Sequence, residues 1–127
     1  MAEREVPLHA YLGLEEVERS PEGRVRLRLP YRREWLVTQT PAPMIHGGLS
    51  ALLLDAAANL AVMAATGREV STVDLRVDYL RPAPAGDLLA EGTVLRAGSL
   101  LAVADAVVKA PDGKVVAAGR GTFRIFP

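Results

Sequence analysis

The sequence has 127 residues, a formal net charge of zero at pH 7 and no cysteine. A chain of this length forms one domain, residues 1–127, which can bury a core without disulfides. The balanced charge gives no broad attraction to nucleic acid or acidic lipid, and the missing thiols exclude cysteine catalysis. The N-terminus is charged at residues 3–5 and lacks the apolar stretch of a secretory signal, so we expect a cytoplasmic protein.

The first elements in chain order are two short strands. Residues 14–19 are a candidate strand, and residues 20–23 have the composition of a turn. Residues 24–29 alternate arginine with Val25, Leu27 and Leu29, which predicts a second strand with its apolar side chains in the core. Residues 31–45 contain two prolines and show no periodicity, so we expect a loop that leads into the next element.

A long apolar helix is the central feature of the sequence. Residues 49–66 follow His46-Gly47-Gly48, contain no proline, and predict a helix of about five turns that is buried on all sides. Apart from Ser50, its polar residues form a narrow stripe within roughly 40° of one another: Asp55, Asn59 and Thr66. An acid near the middle of a barely long enough apolar run argues against a membrane-spanning helix.

Asp55 is the main candidate for chemistry. A buried carboxylate must be hydrogen-bonded, paired, protonated or placed at a cleft. It is therefore either a functional acid or a core group satisfied by Asn59 and the backbone. His46 lies nine residues earlier, about 13.5 Å along the helix and half a turn away. If both residues act on one substrate, two chains must supply them.

Four strands are predicted after the helix, over residues 70–81, 87–96, 100–110 and 114–125. In the first of these, two sets of residues alternate along the strand: Val73, Leu75, Val77 and Tyr79 on one face, and Thr72, Asp74, Arg76 and Asp78 on the other. Short turns join the last three strands and require antiparallel neighbours. The predicted α+β fold is one long central helix wrapped by a six-stranded antiparallel sheet.

The two faces of the last two strands differ in side-chain size. Small residues on one face would let the helix pack closely: Ala102, Ala104, Ala106, Ala117, Gly119 and Gly121. The other face is apolar as well, which suggests that another subunit covers it. Its residues are Val103, Val107, Val116 and Ala118.

The chain resembles the hotdog-fold thioesterases, specifically the phenylacetyl-CoA thioesterase branch. The resemblance covers nearly the whole sequence and rests on Leu12-Gly13, His46-Gly47-Gly48, Asp55 nine residues after the histidine, Thr72-Val73-Asp74-Leu75, Tyr79-Leu80-Arg81-Pro82 and Gly121-Thr122-Phe123. It implies the hotdog fold and hydrolysis of an acyl-CoA ester with a small aryl or a short to medium acyl group. It also implies a homodimer joined through the strand after the helix, often paired into a homotetramer.

The resemblance also implies a catalytic site at the dimer interface, with no metal and no cofactor, because coenzyme A is part of the substrate. The N–H of Gly47, at the helix N-terminus, would hold the thioester oxygen. The partner's Asp55 would activate water or, as a less favoured alternative, attack the thioester directly. Thr72 would help to orient the water. His46 would touch the thioester or fix the loop, or would only bond the backbone where the helix begins.

Further candidates for substrate contacts are Thr40, Gly48, Asn59 and Arg81. Asn59 is interpreted first as a helix-packing residue, as is Thr66, and His9 is interpreted as structural. Coenzyme A phosphates need cations, and the candidates for this role are Arg68, Arg76, Arg81 and Arg96.

Two positions depart from the family pattern. The family often has Asn six residues before the histidine and Gly three before it, where this chain has Thr40 and Pro43. Threonine has no amide donor, and one oxyanion donor is worth about 3 kcal/mol. The alternative function is therefore a non-catalytic hotdog protein that binds acyl-CoA or another small ligand. A hotdog hydratase is less consistent, because its His and acid pattern is not found here.

Overall fold

The computed structural model describes residues 6–37 and 41–127. Two α-helices are α1 (Pro7–Leu12) and α2 (Gly47–Thr66). The strands are β1 (Glu15–Ser20), β2 (Arg24–Leu29), β3 (Leu36–Val37), β4 (Met44–Ile45), β5 (Val70–Tyr79), β6 (Leu88–Ala97), β7 (Leu101–Lys109) and β8 (Val115–Ile125).

Six of the strands form one antiparallel sheet in the order β1-β2-β6-β7-β8-β5. All six of these strands contact α2, which packs against the sheet. The predicted α+β hotdog architecture is confirmed. The loop prediction for residues 31–45 was partly wrong, because β3 and β4 pair there and a 3-10 turn forms at Arg33–Trp35.

The core lies between the sheet and α2. The predicted inward residues of β2, Val25, Leu27 and Leu29, are each only 1% exposed. The close packing of α2 on the sheet depends on small residues in the strands, as predicted. It also depends on a further small residue, Gly92, which was not predicted. A Cβ at Gly92 would lie 2.2 Å from the carbonyl oxygen of Ala57, so only glycine leaves room for the helix backbone there.

The helix is not buried on all sides, which corrects the prediction. One face of α2 is buried against the sheet: Ser50, Leu53, Leu54, Ala56, Ala57, Ala58, Ala61 and Val62. The line through Leu52, Asp55, Asn59 and Met63 is only half-buried, because the sheet covers part of the circumference of the helix. By length and composition α2 could cross a membrane, but here it is the core helix of the domain. The polar stripe therefore lies on the face that the sheet leaves open.

Two β-bulges also change which side chains face the core. In β5 the register with β8 shifts between Thr72 and Asp74, and Val73 is 61% exposed, although strict alternation would give it the same face as Leu75. In β8 the register shifts opposite Val108, and Val116 is buried, although the alternation had placed it on the outer face. A bulge adds one residue and interrupts the two-residue period, and the prediction for Val116 depended on that period.

Candidate active site

Asp55 and Thr72 are held together within one chain. The Thr72 hydroxyl donates a hydrogen bond of 2.7 Å to Oδ1 of Asp55. Asp55 comes from the middle of α2 and Thr72 from the beginning of β5. In the described part of the chain, the carboxylate is therefore satisfied by Thr72, and Asn59 makes no hydrogen bond to it. The second carboxylate oxygen is left for another partner.

The bulge in β5 makes this contact possible. In a regular strand Thr72 would share the face of Asp74, which points away from the helix. The extra residue at Val73 instead places Thr72 opposite Phe123, whose ring is fully buried on the helix side. Bulges commonly re-aim a side chain beside a functional site. The sequence analysis identified Thr72 from the family motif, but its direction depends on this irregularity.

His9 lies near the same carboxylate. Its imidazole is half-buried on α1, and this burial lowers the pKa of His9 below the ordinary value of 6.5. The charge of Asp55 acts in the opposite direction and raises this pKa, but by less than burial lowers it. The sequence analysis treated His9 as structural, since nothing in its local pattern connects it to a residue on another helix.

The other group of predicted residues lies where α2 begins. His46 is the N-cap residue, and its Nδ1 accepts a 2.8 Å hydrogen bond from the backbone N–H of Gly48. The structure thus shows His46 bonding the backbone at the helix entry. Because Nδ1 accepts this bond, the neutral imidazole carries its proton on Nε2. The ring is exposed and keeps one donor available for another molecule.

Tyr79 packs on the same turn of the helix. Its hydroxyl donates to the carbonyl oxygen of Gly47 over 3.1 Å, and a Cβ at Gly47 would lie 3.1 Å from the tyrosine ring. Glycine at this position therefore leaves the space that the ring occupies. Apart from a family motif, nothing in the sequence points to Tyr79, because the contact joins the end of β5 to a helix that precedes it in the chain.

A cavity of about 520 Å³ opens beside the helix start. Gly47, Ser50, Tyr79 and Arg81 contribute to its wall. Most of the remaining wall is apolar, with side chains from several segments: Val37, Met44, Ile45, Leu80, Pro82, Ala83 and Val116. Asp55 and Thr72 do not line this cavity. A single chain therefore presents two separate groups of residues. The carboxylate group consists of Asp55 and Thr72, at the middle of α2. The amide group consists of the Gly47–Gly48 backbone with His46 and Tyr79, where α2 begins.

The remaining candidate site residues lie in different parts of the structure. Arg81 lines the cavity, Gly48 is exposed at the helix start, and Asn59 is half-buried one turn after Asp55. Thr66 donates to the Val62 carbonyl and so belongs to the helix. Thr40 lies outside the described residues. Within residues 6–37 and 41–127, no group of three His, Asp or Glu side chains is arranged to hold a metal ion.

The sequence profile of the thioesterase superfamily matches residues 42–117, more than half of the chain. A candidate esterase of Halobacterium salinarum is 42% identical over 130 residues, which cover 94% of this chain and 84% of that protein. The medium/long-chain acyl-CoA thioesterase YigI of Salmonella typhimurium is 30% identical over 135 residues, which cover 94% and 86% of the two chains.

Solved structures with the same fold also include members of the thioesterase superfamily. A crystal structure of a thioesterase-superfamily protein aligns with a TM-score of 0.89 and 39% identity, over 95% of this chain and 90% of that one. The PaaI protein of the Escherichia coli phenylacetic acid degradation operon shares the fold, with a TM-score of 0.86 at 24% identity over 96% and 86% of the chains. The chain belongs to the thioesterase superfamily, as the resemblance predicted. It is an enzyme of the thioester hydrolase class.

Proposed function

We propose that this protein is an acyl-CoA thioesterase that hydrolyses a coenzyme A ester of a small aryl or a short to medium acyl group. The observation that carries the proposal is the Asp55–Thr72 hydrogen bond on the face of α2 that the sheet leaves open. A carboxylate with one oxygen bonded and the other unoccupied can accept a proton from water. The reaction also needs donors for the thioester oxygen, and these lie elsewhere in the chain.

The two groups of residues lie far apart within one chain. Gly47 and Asp55 are eight residues apart on α2, about 12 Å of helix rise. Thr72 and Tyr79 are seven residues apart on β5, about 24 Å of extended strand. A site that uses both groups therefore requires a second copy of the chain.

Strand β5 offers the means to bring the two groups together. It is an edge strand of ten residues, whereas the opposite edge, β1, has six and carries the charged side chains Glu15, Glu16, Glu18 and Arg19. Charges on a short edge disfavour further pairing, and a long edge invites it. In an antiparallel pair of β5 strands, the Tyr79 end of one would lie beside the Thr72 end of the other. Each interface would then hold two composite sites.

The charges on β5 favour one register for this pairing. Around a two-fold axis at Leu75, Asp74 would lie opposite the partner's Arg76. An axis at Arg76 would instead place two arginines directly opposite each other, which is unfavourable. We therefore propose a dimer centred on Leu75, and pairing of two such dimers into a tetramer would cover the outer face of the sheet.

The proposed mechanism assigns one task to each group. The Gly47 N–H, at the positive end of the α2 dipole, would bind the thioester oxygen as it becomes negative. The partner's Asp55 would take a proton from a water molecule while that water attacks the carbonyl carbon. The carbon–sulfur bond would then break, and the proton would pass to the departing thiolate. We favour this general-base route over direct attack by the carboxylate, because Thr72 already holds one carboxylate oxygen.

The cavity beside Gly47 is the proposed binding site for an apolar acyl group. Its volume of about 520 Å³ and its aliphatic lining suit such a group beside Gly47. Relatives in Salmonella typhimurium and Escherichia coli are named medium/long-chain acyl-CoA thioesterases, which favours an aliphatic chain over an aryl group. Arg81, on the same wall, is our first choice for a contact with coenzyme A phosphates.

A panel of acyl-CoA esters with thiol detection tests the proposed function. We expect turnover that depends on the acyl group and is highest for one class of ester. Tight binding without turnover for every ester would instead support the alternative, a non-catalytic binding protein. The sequence features that favour this alternative are Thr40 and Pro43, which stand where the family often has asparagine and glycine.

Mixing two inactive variants tests the two-chain site. In a heterodimer of Asp55→Asn and Gly47→Pro, one of the two sites would contain both intact groups. Proline is compatible with the first helical turn and lacks the N–H, but its Cβ would lie 3.1 Å from the Tyr79 ring, so the test requires that this variant folds. After subunit exchange we expect about a quarter of the wild-type activity from random pairing. Full exchange without recovery, or a stable monomer in light scattering at micromolar concentration, would exclude the shared site.

A further inference from the structure

The peptide group between Gly47 and Gly48 is held at both of its polar ends. Its carbonyl oxygen accepts the Tyr79 hydroxyl at 3.1 Å, and its N–H donates to Nδ1 of His46 at 2.8 Å. Helix ends fray, and two successive glycines have more backbone freedom than any other pair. Two side-chain hydrogen bonds to one peptide group restrict that freedom at the point where α2 begins.

Tyr79 is itself firmly placed. It is the last residue of β5 and pairs with Ala117 of β8, and the next backbone N–H, that of Leu80, donates to the Val116 carbonyl at 2.9 Å. The ring lies against Gly47, yet 59% of the residue is exposed. Burial in the core therefore does not account for the position of this aromatic side chain. Its hydroxyl has a defined partner, and its other surface borders the cavity.

We propose that Tyr79 is a positioning residue that holds the Gly47–Gly48 peptide and so aims the neighbouring Gly47 N–H at the thioester oxygen. This inference rests on the proposed function and adds a residue to it. An oxyanion donor is effective only when it is oriented before the reaction, and loss of one such donor lowers turnover by about a hundredfold or more. Loss of a residue that only orients the donor should have a smaller effect.

The test is Tyr79→Phe, which keeps the ring and removes the hydroxyl. We expect kcat to fall about tenfold while KM changes by less than about twofold, because the lost interaction matters mainly in the transition state. Amide hydrogen exchange in residues 47–51 should become several-fold faster. Tyr11→Phe is the matched control, since that tyrosine is 74% exposed and lies on α1. The Tyr11→Phe variant should change neither readout.

Each alternative outcome overturns the proposal. A lower kcat with unchanged exchange would mean that the hydroxyl acts on the substrate directly. Faster exchange with unchanged kcat would mean that the peptide is held for stability alone, and a change confined to KM would make Tyr79 a binding residue. If the wild-type protein hydrolyses no ester, the proposed function fails, whereas hydrogen exchange still decides whether Tyr79 restrains the helix start.

Discussion

The carboxylate group and the amide group of the candidate site differ in what they present to a substrate. Asp55 and Thr72 present side chains, which come from α2 and β5 and meet because β5 contains a bulge. The amide group presents backbone, and its side chains, His46 and Tyr79, restrain that backbone. In the carboxylate group the proposed chemistry depends on which side chains are present. In the amide group it depends on the space that glycine leaves and on the orientation of the backbone N–H.

This difference predicts how substitutions should act. Removal of a functional atom from the carboxylate group should lower turnover with little effect on folding. Changes in the amide group should alter the helix start as well, because the same hydrogen bonds stabilise α2. The following predictions examine this contrast in order of decreasing size, and a titration of His9 completes them.

The largest effect is expected for Asp55→Asn. The amide keeps the size of the carboxylate and can still accept from Thr72, but it cannot serve as a base or nucleophile. Turnover should fall by about a hundredfold or more, while the protein stays folded. Steady-state kinetics, together with thermal unfolding, measure both effects. Nearly intact turnover with altered stability would show that Asp55 is only a structural carboxylate.

A smaller effect is expected for Thr72→Val, which keeps the shape of the side chain and removes its hydroxyl. The carboxylate then loses the donor that orients it, and turnover should fall about tenfold, corresponding to about 1.4 kcal/mol. Thr72→Ser is the matched control, and it should recover most of the activity because it restores the hydroxyl. Equal kinetics for the valine and serine variants would exclude a role for this hydrogen bond.

His46→Ala should mainly affect stability. Loss of an N-cap side chain typically costs about 1 kcal/mol of unfolding free energy, and His46→Asn should restore it, since asparagine is a good N-cap residue. Chemical denaturation measures both changes. If asparagine also restores full turnover, His46 acts through the helix start alone. A stability loss that asparagine does not recover would contradict the capping assignment.

The smallest effect is a pH dependence that originates at His9. Burial lowers the pKa of His9 below 6.5, so the unfolded chain binds this proton first as the pH falls. The stability contributed by neutral His9 should therefore be complete above about pH 6.5 and decline as the pH falls through the lower folded-state pKa. His9→Gln should flatten the pH dependence of unfolding in this range.

The same histidine can report on its distance from Asp55. The chain has two histidines, so a proton NMR titration resolves His9 from His46. Because the carboxylate charge raises the pKa of His9, Asp55→Asn should lower that pKa further. An unchanged His9 pKa in the variant would show that the two side chains do not interact.

Local patterns in the sequence determined much of the secondary structure of this protein. The two-residue alternation of Val25, Leu27 and Leu29 placed β2 correctly, and the long apolar run identified α2. Gly67 ends that helix in the left-handed conformation, as its position after the run predicts. The family motif then identified Asp55 and Thr72, although it did not say how they would meet.

The tertiary structure alone decided the features that depend on contacts between distant segments. The bulge at Val73 is a property of the pairing of β5 with β8, and it allows the Thr72 side chain to reach Asp55. The Tyr79–Gly47 contact and the proximity of His9 to Asp55 likewise join elements that are far apart in the chain. Periodicity reports the environment of a residue averaged over its own strand or helix. It therefore contains no information about a single inserted residue or about which side chain arrives from another element.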